Sequence, residues 1–342
     1  MGIVRDERFL GHKTGHTHPE HPNRLRTIYR MLDADFAEGL IRIEPEPVPL
    51  EYLELVHTPP YIEKVLKTAD QGFTSLAPDT PASSMTYLAV WLAVGGCLKA
   101  LDALLSGKCG ACFSLVRPPG HHALPDRAGG FCVFNNLGVT ARYAMRLHGI
   151  KRILVIDWDI HHGNGIQDLF YDEEEVLYLS FHDTFLYPYT GDLQEAGKGK
   201  GEGYTVNIPV PRELEDAEYL SLFCEIVGPV MRRYRPELIL VSAGFDGHRD
   251  DPIGRSRLTE KAFRGLTDML LSFSSEVNHP RILFALEGGY HFQALTGSVK
   301  EVLKALTDKS EHRDISLKRT DRVAKLLERA AKIHKKFGVW AD

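Results

Sequence analysis

Asp157-Trp158-Asp159-Ile160-His161-His162-Gly163-Asn164-Gly165 follows directly on the apolar run Ile153-Leu154-Val155-Ile156. The run reads as a buried strand, and side chains on a strand alternate between its two faces. Asp157, Asp159 and His161 are therefore expected on one side, at a strand end where the chain changes direction. Two carboxylates and an imidazole in an apolar setting either shift their pKa values or find a cation. A divalent metal is the simplest partner for that set. The remaining ligand and the chemistry must come from elsewhere in the chain.

Outward from this stretch, apolar runs alternate with segments of helical period. Strands are expected at residues 111–116, 152–156, 176–181, 237–242 and 281–286, and helices at 84–106, 135–147, 216–234, 259–277 and about 292–306. Near-continuous Val/Ile/Leu strands in this rhythm predict an α/β fold, a single domain whose mostly parallel sheet is covered by helices on both faces. The Gly/Lys-rich segment 195–203 reads as a flexible surface loop, and no linker divides the chain. In open α/β sheets, ligands sit beyond the carboxyl ends of the strands. There the sequence places Arg117-Pro118-Pro119-Gly120-His121-His122, the opening stretch, Ala243-Gly244-Phe245-Asp246 and Glu287-Gly288-Gly289-Tyr290. A lone Asp after a strand is usually a helix N-cap, and Gly-Gly-Tyr usually a turn. Four polar strand ends beside Gly or Pro, coinciding at one sheet edge, mark a site.

With 342 residues, 43% hydrophobic and 25% charged, the chain has an ordinary globular composition and can bury a substantial core. A net charge of −5 argues against generic nucleic-acid binding. No apolar stretch reads as a membrane span, and residues 1–10 lack a signal-peptide core. Five cysteines make no disulfide framework, so a reducing cytoplasm is expected. Cys109-Gly110-Ala111-Cys112 has the spacing of half a zinc ribbon, but no second pair follows, and strand packing is the expectation. Segment 317–337 puts Val323, Leu326, Leu327, Ala330 and Ile333 on one side of a helix rich in Lys and Arg. It is expected to pack on the domain or on a second subunit.

Five motifs occur together: Pro118-Pro119-Gly120-His121-His122, Gly130-Phe131-Cys132-Val133-Phe134-Asn135-Asn136, the opening stretch, Ser242-Ala243-Gly244-Phe245-Asp246 and Glu287-Gly288-Gly289-Tyr290. The combination resembles the histone deacetylase family over residues 15–306, more closely its class II branch and the bacterial deacetylases similar to it. The resemblance implies an arginase-like α/β fold, one catalytic zinc ion and hydrolysis of an Nε-acyl-lysine amide in a protein or peptide; the catalytic domain is expected over residues 1–310, and the periodic basic segment makes 311–342 a helical extension. Matched residue by residue, it makes Asp159, His161 and Asp246 the zinc ligands. Asp157, Asp159, His161, Ser180 and Phe181 would hold structural potassium, one ion or two. Asp157 would pair with His121 and Asn164 with His122. An Asn at 164 leaves His122 less stabilised as an imidazolium than an Asp would. His122 then serves as general base and acid, His121 as electrostatic helper, and Tyr290 as hydroxyl donor to the oxyanion.

Gly130, Phe131, Tyr187, Asp79, Gly288 and Gly289 map to the substrate channel. Phe131 is one aromatic wall; Tyr187 is the opposite wall, where a Phe is more usual, and Asp79 falls near the rim. Arg24 matches a residue near an internal channel, or else anchors the first helix through a salt bridge. His12, His16, His18 and His21 lie in the family's mobile first loop, and a second zinc site is not expected there. His162 is expected to be structural. An acetylpolyamine amidohydrolase is the main alternative, but Ile253 offers no charge to a distant ammonium. A silent acyl-lysine binder is disfavoured by the intact site. A dimanganese ureohydrolase needs more bridging carboxylates than the chain supplies. Oligomeric state, acyl length and the choice of zinc or iron(II) stay open.

Overall fold

The computed structural model describes residues 1–307 and 315–340. The expected boundary between residues 310 and 311 lies outside these residues. Among the described residues there are ten strands: β1 (Gly2–Val4), β2 (Ile41–Ile43), β3 (Phe73–Ala77), β4 (Thr80–Ser83), β5 (Ala111–Ser114), β6 (Ile153–Asp157), β7 (Val176–His182), β8 (Thr205–Pro209), β9 (Leu238–Ala243) and β10 (Arg281–Leu286). The helices are α1 (Asn23–Asp35), α2 (Leu50–Leu53), α3 (Pro59–Leu66), α4 (Thr86–Leu105), α5 (Asn136–His148), α6 (Asn164–Phe170), α7 (Asp216–Tyr234), α8 (Glu260–Glu276), α9 (Phe292–Thr307) and α10 (Asp321–His334).

Eight strands form one sheet in the order β2-β1-β5-β10-β9-β6-β7-β8, and every neighbouring pair is parallel. All residues of β6, β7 and β9 are buried, as a sheet covered on both faces requires. One row of helices runs α1-α9-α8-α7-α10, each packed on the next; α4, α5 and α6 make a second row. The expected single-domain α/β fold is the observed one. The four strands with polar ends, β5, β10, β9 and β6, stand side by side at the centre of the sheet. Their carboxyl ends therefore converge without any long-range bending of the chain.

Several expectations are corrected. The helix α4 is long and apolar enough to cross a membrane, contrary to the sequence reading. Most of it is buried inside the domain against β1, β5 and β10, which accounts for its apolar composition. The segment 195–203 is pinned rather than free. Glu195 accepts from the N–H groups of Gly191 and Asp192, each at 2.9 Å, and from the Gln167 amide at 2.6 Å. Ala196 and Gly201 are buried there. β6 ends at Asp157, so strand alternation does not carry on to Asp159 and His161, and Asp157 is not part of their ligand group with Asp246. The helical period read over 317–337 is realised only from Asp321 to His334, with a 3-10 turn following. Val323, Leu326, Leu327 and Ala330 dock this helix on the core, and Arg322 and Thr320 bind the Glu218 carboxylate on α7.

Candidate active site

Asp159, His161 and Asp246 each bring a ligand atom into one group in which all the atoms lie within 4.8 Å of one another. His161 Nδ1 is 3.1 Å from Asp159 Oδ1 and 2.9 Å from Asp246 Oδ2. Backbone N–H groups aim both carboxylates. Gly288 donates to Asp159 Oδ2 at 2.8 Å and Ile160 to Asp246 Oδ1 at 3.1 Å. A Cβ at Gly288 would collide with carboxylate oxygens of Asp246 and Asp159, and one at Gly244 with Asp159. Glycine at these positions lets the backbone close on the donors. Burial alone would raise Asp159, but the charges of His121 and His161 hold it below the usual carboxylate range. Burial pulls His161 down, and Asp246 and Asp159 more than reverse this. A buried N/O₂ donor set of one imidazole and two carboxyl groups fits zinc and leaves a fourth position open.

Asp157 turns away from this group. Its Oδ2 lies 3.1 Å from His121 Nδ1 and accepts from the Tyr178 hydroxyl at 3.1 Å. His122 Nδ1 is 2.9 Å from Asn164 Oδ1, at the first residue of α6. The two rings are neighbours, 3.9 Å between centroids, yet their electrostatics differ. Burial lowers His121, but Asp157, Asp159 and Glu287 outweigh it and push the ring up to about 10. Burial lowers His122 as well, and the charges on His121 and His161 push it further down. His121 is thus held as a cation and His122 as a neutral base. Titratable neighbours pushed apart in this way separate acid from base roles.

The aromatic residues assemble beside this centre. Tyr187 stands edge-on to His122 at 4.9 Å, and Phe131 edge-on to Tyr290 at 5.6 Å. Phe131 itself takes a left-handed φ of 67°. A Cβ at Gly130 would meet both His122 and Tyr187. Asp79, in the turn between β3 and β4, accepts from the Gly130 N–H at 3.0 Å, so its carboxylate ties the hairpin to the channel loop. Gly289 accepts from Arg24 Nε at 2.6 Å through its carbonyl, behind the site. Ser180 stands opposite Asp157 in register on β7, next to Phe181, with its hydroxyl 2.7 Å from His182 Nδ1.

Other sequence candidates stand outside the ligand group, although His18 packs edge-on to Phe131 at 4.7 Å. His12 Nδ1 is 2.8 Å from Thr86 Oγ1, His18 Nε2 3.3 Å from the Asp79 carbonyl, and His21 Nδ1 caps the Asn23 N–H at 3.1 Å. Among the described residues these histidines form no metal group with His16. His162 is held between Thr190 Oγ1 at 2.8 Å and Gln167 Oε1 at 3.0 Å, a structural role. Cys109 and Cys112 are free thiols beside β1.

Three features escaped the sequence. Fully buried Glu20 lies between Arg24 at 3.0 Å and Arg117 at 2.7 Å. Arg24 thus both makes the anchoring salt bridge and lies under the site, its guanidinium 5.0 Å from the Tyr290 ring centroid. Glu287 Oε2 accepts the N–H groups of Gly120 at 2.6 Å and His121 at 3.1 Å, fixing the two-histidine loop. Asp251 Oδ2 accepts the N–H of Tyr290 at 2.6 Å.

Comparison with known proteins agrees with this geometry. The histone deacetylase domain family matches residues 18–306. A probable deacetylase of Archaeoglobus fulgidus is 36% identical over 293 residues, covering 84% of this chain and 81% of that protein. A histone deacetylase-like amidohydrolase of Pseudomonas aeruginosa is 37% identical over 277 residues, 80% of this chain and 72% of that protein. The crystal structure of the HDA15 HD domain superposes with a TM-score of 0.89 at 32% identity, covering 98% of this chain and 96% of that one. On sequence, fold and site alike, the chain belongs to the histone deacetylase family of amide hydrolases.

Proposed function

We propose that this hydrolase is a zinc-dependent lysine deacylase acting on protein or peptide substrates. The observation that carries the reading is the three-residue donor group of Asp159, His161 and Asp246 facing a neutral His122 that Asn164 orients. A zinc ion held by those three residues would polarise the acyl carbonyl and acidify a water. Around it the protein's own groups do the rest. His122 Nε2 takes the proton of the attacking water and returns one to the departing amine. The charged His121 favours the developing negative charge. Tyr290 donates its hydroxyl hydrogen to the oxyanion, with its backbone fixed by Asp251. Phe131 and Tyr187 flank the approach and suit the apolar methylenes of an acyl-lysine. Potassium beside Asp157, Asp159, His161, Ser180 and Phe181 belongs to the same proposal.

Turnover of an acetyl-lysine peptide, compared with N8-acetylspermidine, tests the substrate class. The peptide is expected to be hydrolysed faster, since Ile253 offers the polyamine no counter-charge; the reverse order would make the enzyme a polyamine amidohydrolase. A panel of acyl-lysine peptides of increasing length then measures the channel. Replacing Tyr290 by Phe should remove about 2.7–4 kcal/mol of transition-state stabilisation on the preferred substrate.

A further inference from the structure

A second group of ligand-type residues lies beside the first and shares no member with it. His121, Cys132 and Glu287 each offer one ligand atom, and these atoms all lie within 4.8 Å of one another. They come from three segments: the loop after β5, the loop before α5, and the end of β10. All three are buried, Cys132 and Glu287 completely. Glu287 Oε2 is occupied by two backbone N–H groups, whereas Oε1 has no hydrogen-bond partner. A buried carboxylate oxygen left alone is unfavourable, and a cation is one of the few groups that relieves it. His121 has Asp157 behind Nδ1 at 3.1 Å, which leaves Nε2 as the ring atom open to a ligand. A carboxylate on the far nitrogen is the usual support of a metal-binding histidine. Among the described residues the Cys132 thiol has no acidic or basic side chain hydrogen-bonded to it; its contacts are the Gly130 carbonyl at 3.4 Å and the His122 backbone.

We propose that His121, Cys132 and Glu287 form a second metal site, which takes a thiophilic divalent ion such as zinc and silences the enzyme by occupying His121. Thiolate, imidazole and carboxylate together are a zinc-type donor set. The site binds more weakly than the Asp159–His161–Asp246 group, because the metal must displace the proton of a buried thiol and that of a histidine held as a cation. The inhibition rests on the role given to His121 in hydrolysis; the metal site does not.

Cobalt(II) titration of the full-length protein already holding one equivalent of zinc tests this. The first donor group contains no sulfur, so a sulfur-to-cobalt charge-transfer band in the near ultraviolet reports a cysteine ligand. The band is expected to grow with a second equivalent, in step with loss of hydrolysis. It should be absent in Cys132→Ser, with the first equivalent still present by metal analysis. Glu287→Gln should weaken the second equivalent by at least about tenfold, and it serves if Cys132→Ser fails to fold. No band overturns the site. So does a band that survives in Cys132→Ser and disappears in Cys109→Ser, since Cys109 and Cys112 Sγ lie 3.0 Å apart. A cysteine band with hydrolysis undiminished overturns the silencing of His121. A protein that hydrolyses neither test substrate refutes the proposed function, while the band still decides the metal site.

Discussion

Neutralising Asp251 and neutralising Glu287 are the same chemical change, and the structure gives the two very unequal consequences. Asp251 uses both oxygens as acceptors. Oδ2 takes the N–H groups of Tyr290 at 2.6 Å and His291 at 3.3 Å; Oδ1 takes those of Ile253 at 2.9 Å and Gly254 at 3.2 Å. An Asn at 251 satisfies only one side, because its NH₂ group faces two N–H donors whichever way the amide turns. Hydrogen bonds to charged groups contribute about 1.5–3 kcal/mol each, so losing the two on one side in Asp251→Asn should cost on the order of 3–6 kcal/mol locally. With the NH₂ turned toward Tyr290 and His291, that loss falls on the backbone that places the Tyr290 hydroxyl. Glu287 differs, since Oε2 accepts both of its N–H partners and Oε1 accepts none. A Gln keeps its carbonyl oxygen at the first position and its NH₂ at the second, and should lose only about 1 kcal/mol. The assay is kcat and KM on an acetyl-lysine peptide, with zinc content and denaturant midpoint measured alongside. Asp251→Asn should lower kcat by roughly 100- to 1000-fold, as the loss of one oxyanion donor does, with KM nearly unchanged. In a Tyr290→Phe background it should add little further loss, because the two changes act through one hydroxyl. Full additivity in that background, or Glu287→Gln as damaged as Asp251→Asn, would refute the reasoning.

Asp159→Ala should abolish zinc binding, whereas Asn164→Ala should retain zinc and lose rate; metal analysis beside kcat distinguishes them, and loss of metal from Asn164→Ala would contradict the assigned roles. Asn164→Asp places a carboxylate 2.9 Å from His122 Nδ1 and raises the pKa of that ring. The protonated, inactive base then persists to higher pH, so the acid limb of kcat/KM should move upward. On the far side of the domain, hydrogen bonds from Arg322 hold the Glu218 carboxyl down at about 2, against an ordinary 4.5. A depressed folded pKa contributes stability that is full above about 4.5 and lost as pH falls toward 2. Acid should therefore release α10 through that window, read from the fluorescence of Trp340, whose indole N–H donates to the Glu225 carbonyl at 3.2 Å. Glu218→Gln should flatten this response.

What could be read from the sequence follows the range of the interactions involved. Runs such as Ile153-Leu154-Val155-Ile156 announce themselves because nearly every residue is buried and apolar, and five such runs mark the centre of the sheet. β1 and β2 are three residues each, too short for any period to register. The ligands Asp159 and His161 are local neighbours at a strand end, and Asp246 lies in the loop just beyond a second legible strand. Alternation nevertheless could not separate Asp157, which reaches His121, from the ligands, since it holds only while the chain remains extended. Arg117 and Glu20 are 97 positions apart, and the partners of Asp251 39 and 40 positions away, so no local pattern could signal either pairing.

Two layers of buried charge at the sheet edge explain why these distant pairings exist. The layer nearest the channel holds Asp157, Asp159, Asp246 and Glu287 with His121 and His161, and is acceptor-rich. Behind it, one carboxylate, Glu20, is shared by two guanidinium groups, and the surplus positive charge is fully buried. Neither layer suits a low-dielectric interior alone. Arg24 joins them, since Nε donates to the Gly289 carbonyl at 2.6 Å and Nη2 to the Glu287 carbonyl. Between those two carbonyls lies Gly288, whose N–H holds Asp159 at 2.8 Å. The guanidinium thus fixes the short segment that carries a ligand-aiming amide on one side and Tyr290 on the other. A Lys at 24 has no rigid fork to span Gly289, Glu287 and Glu20 at once. The positive layer is therefore part of what keeps the metal-facing carboxylates and Tyr290 in register.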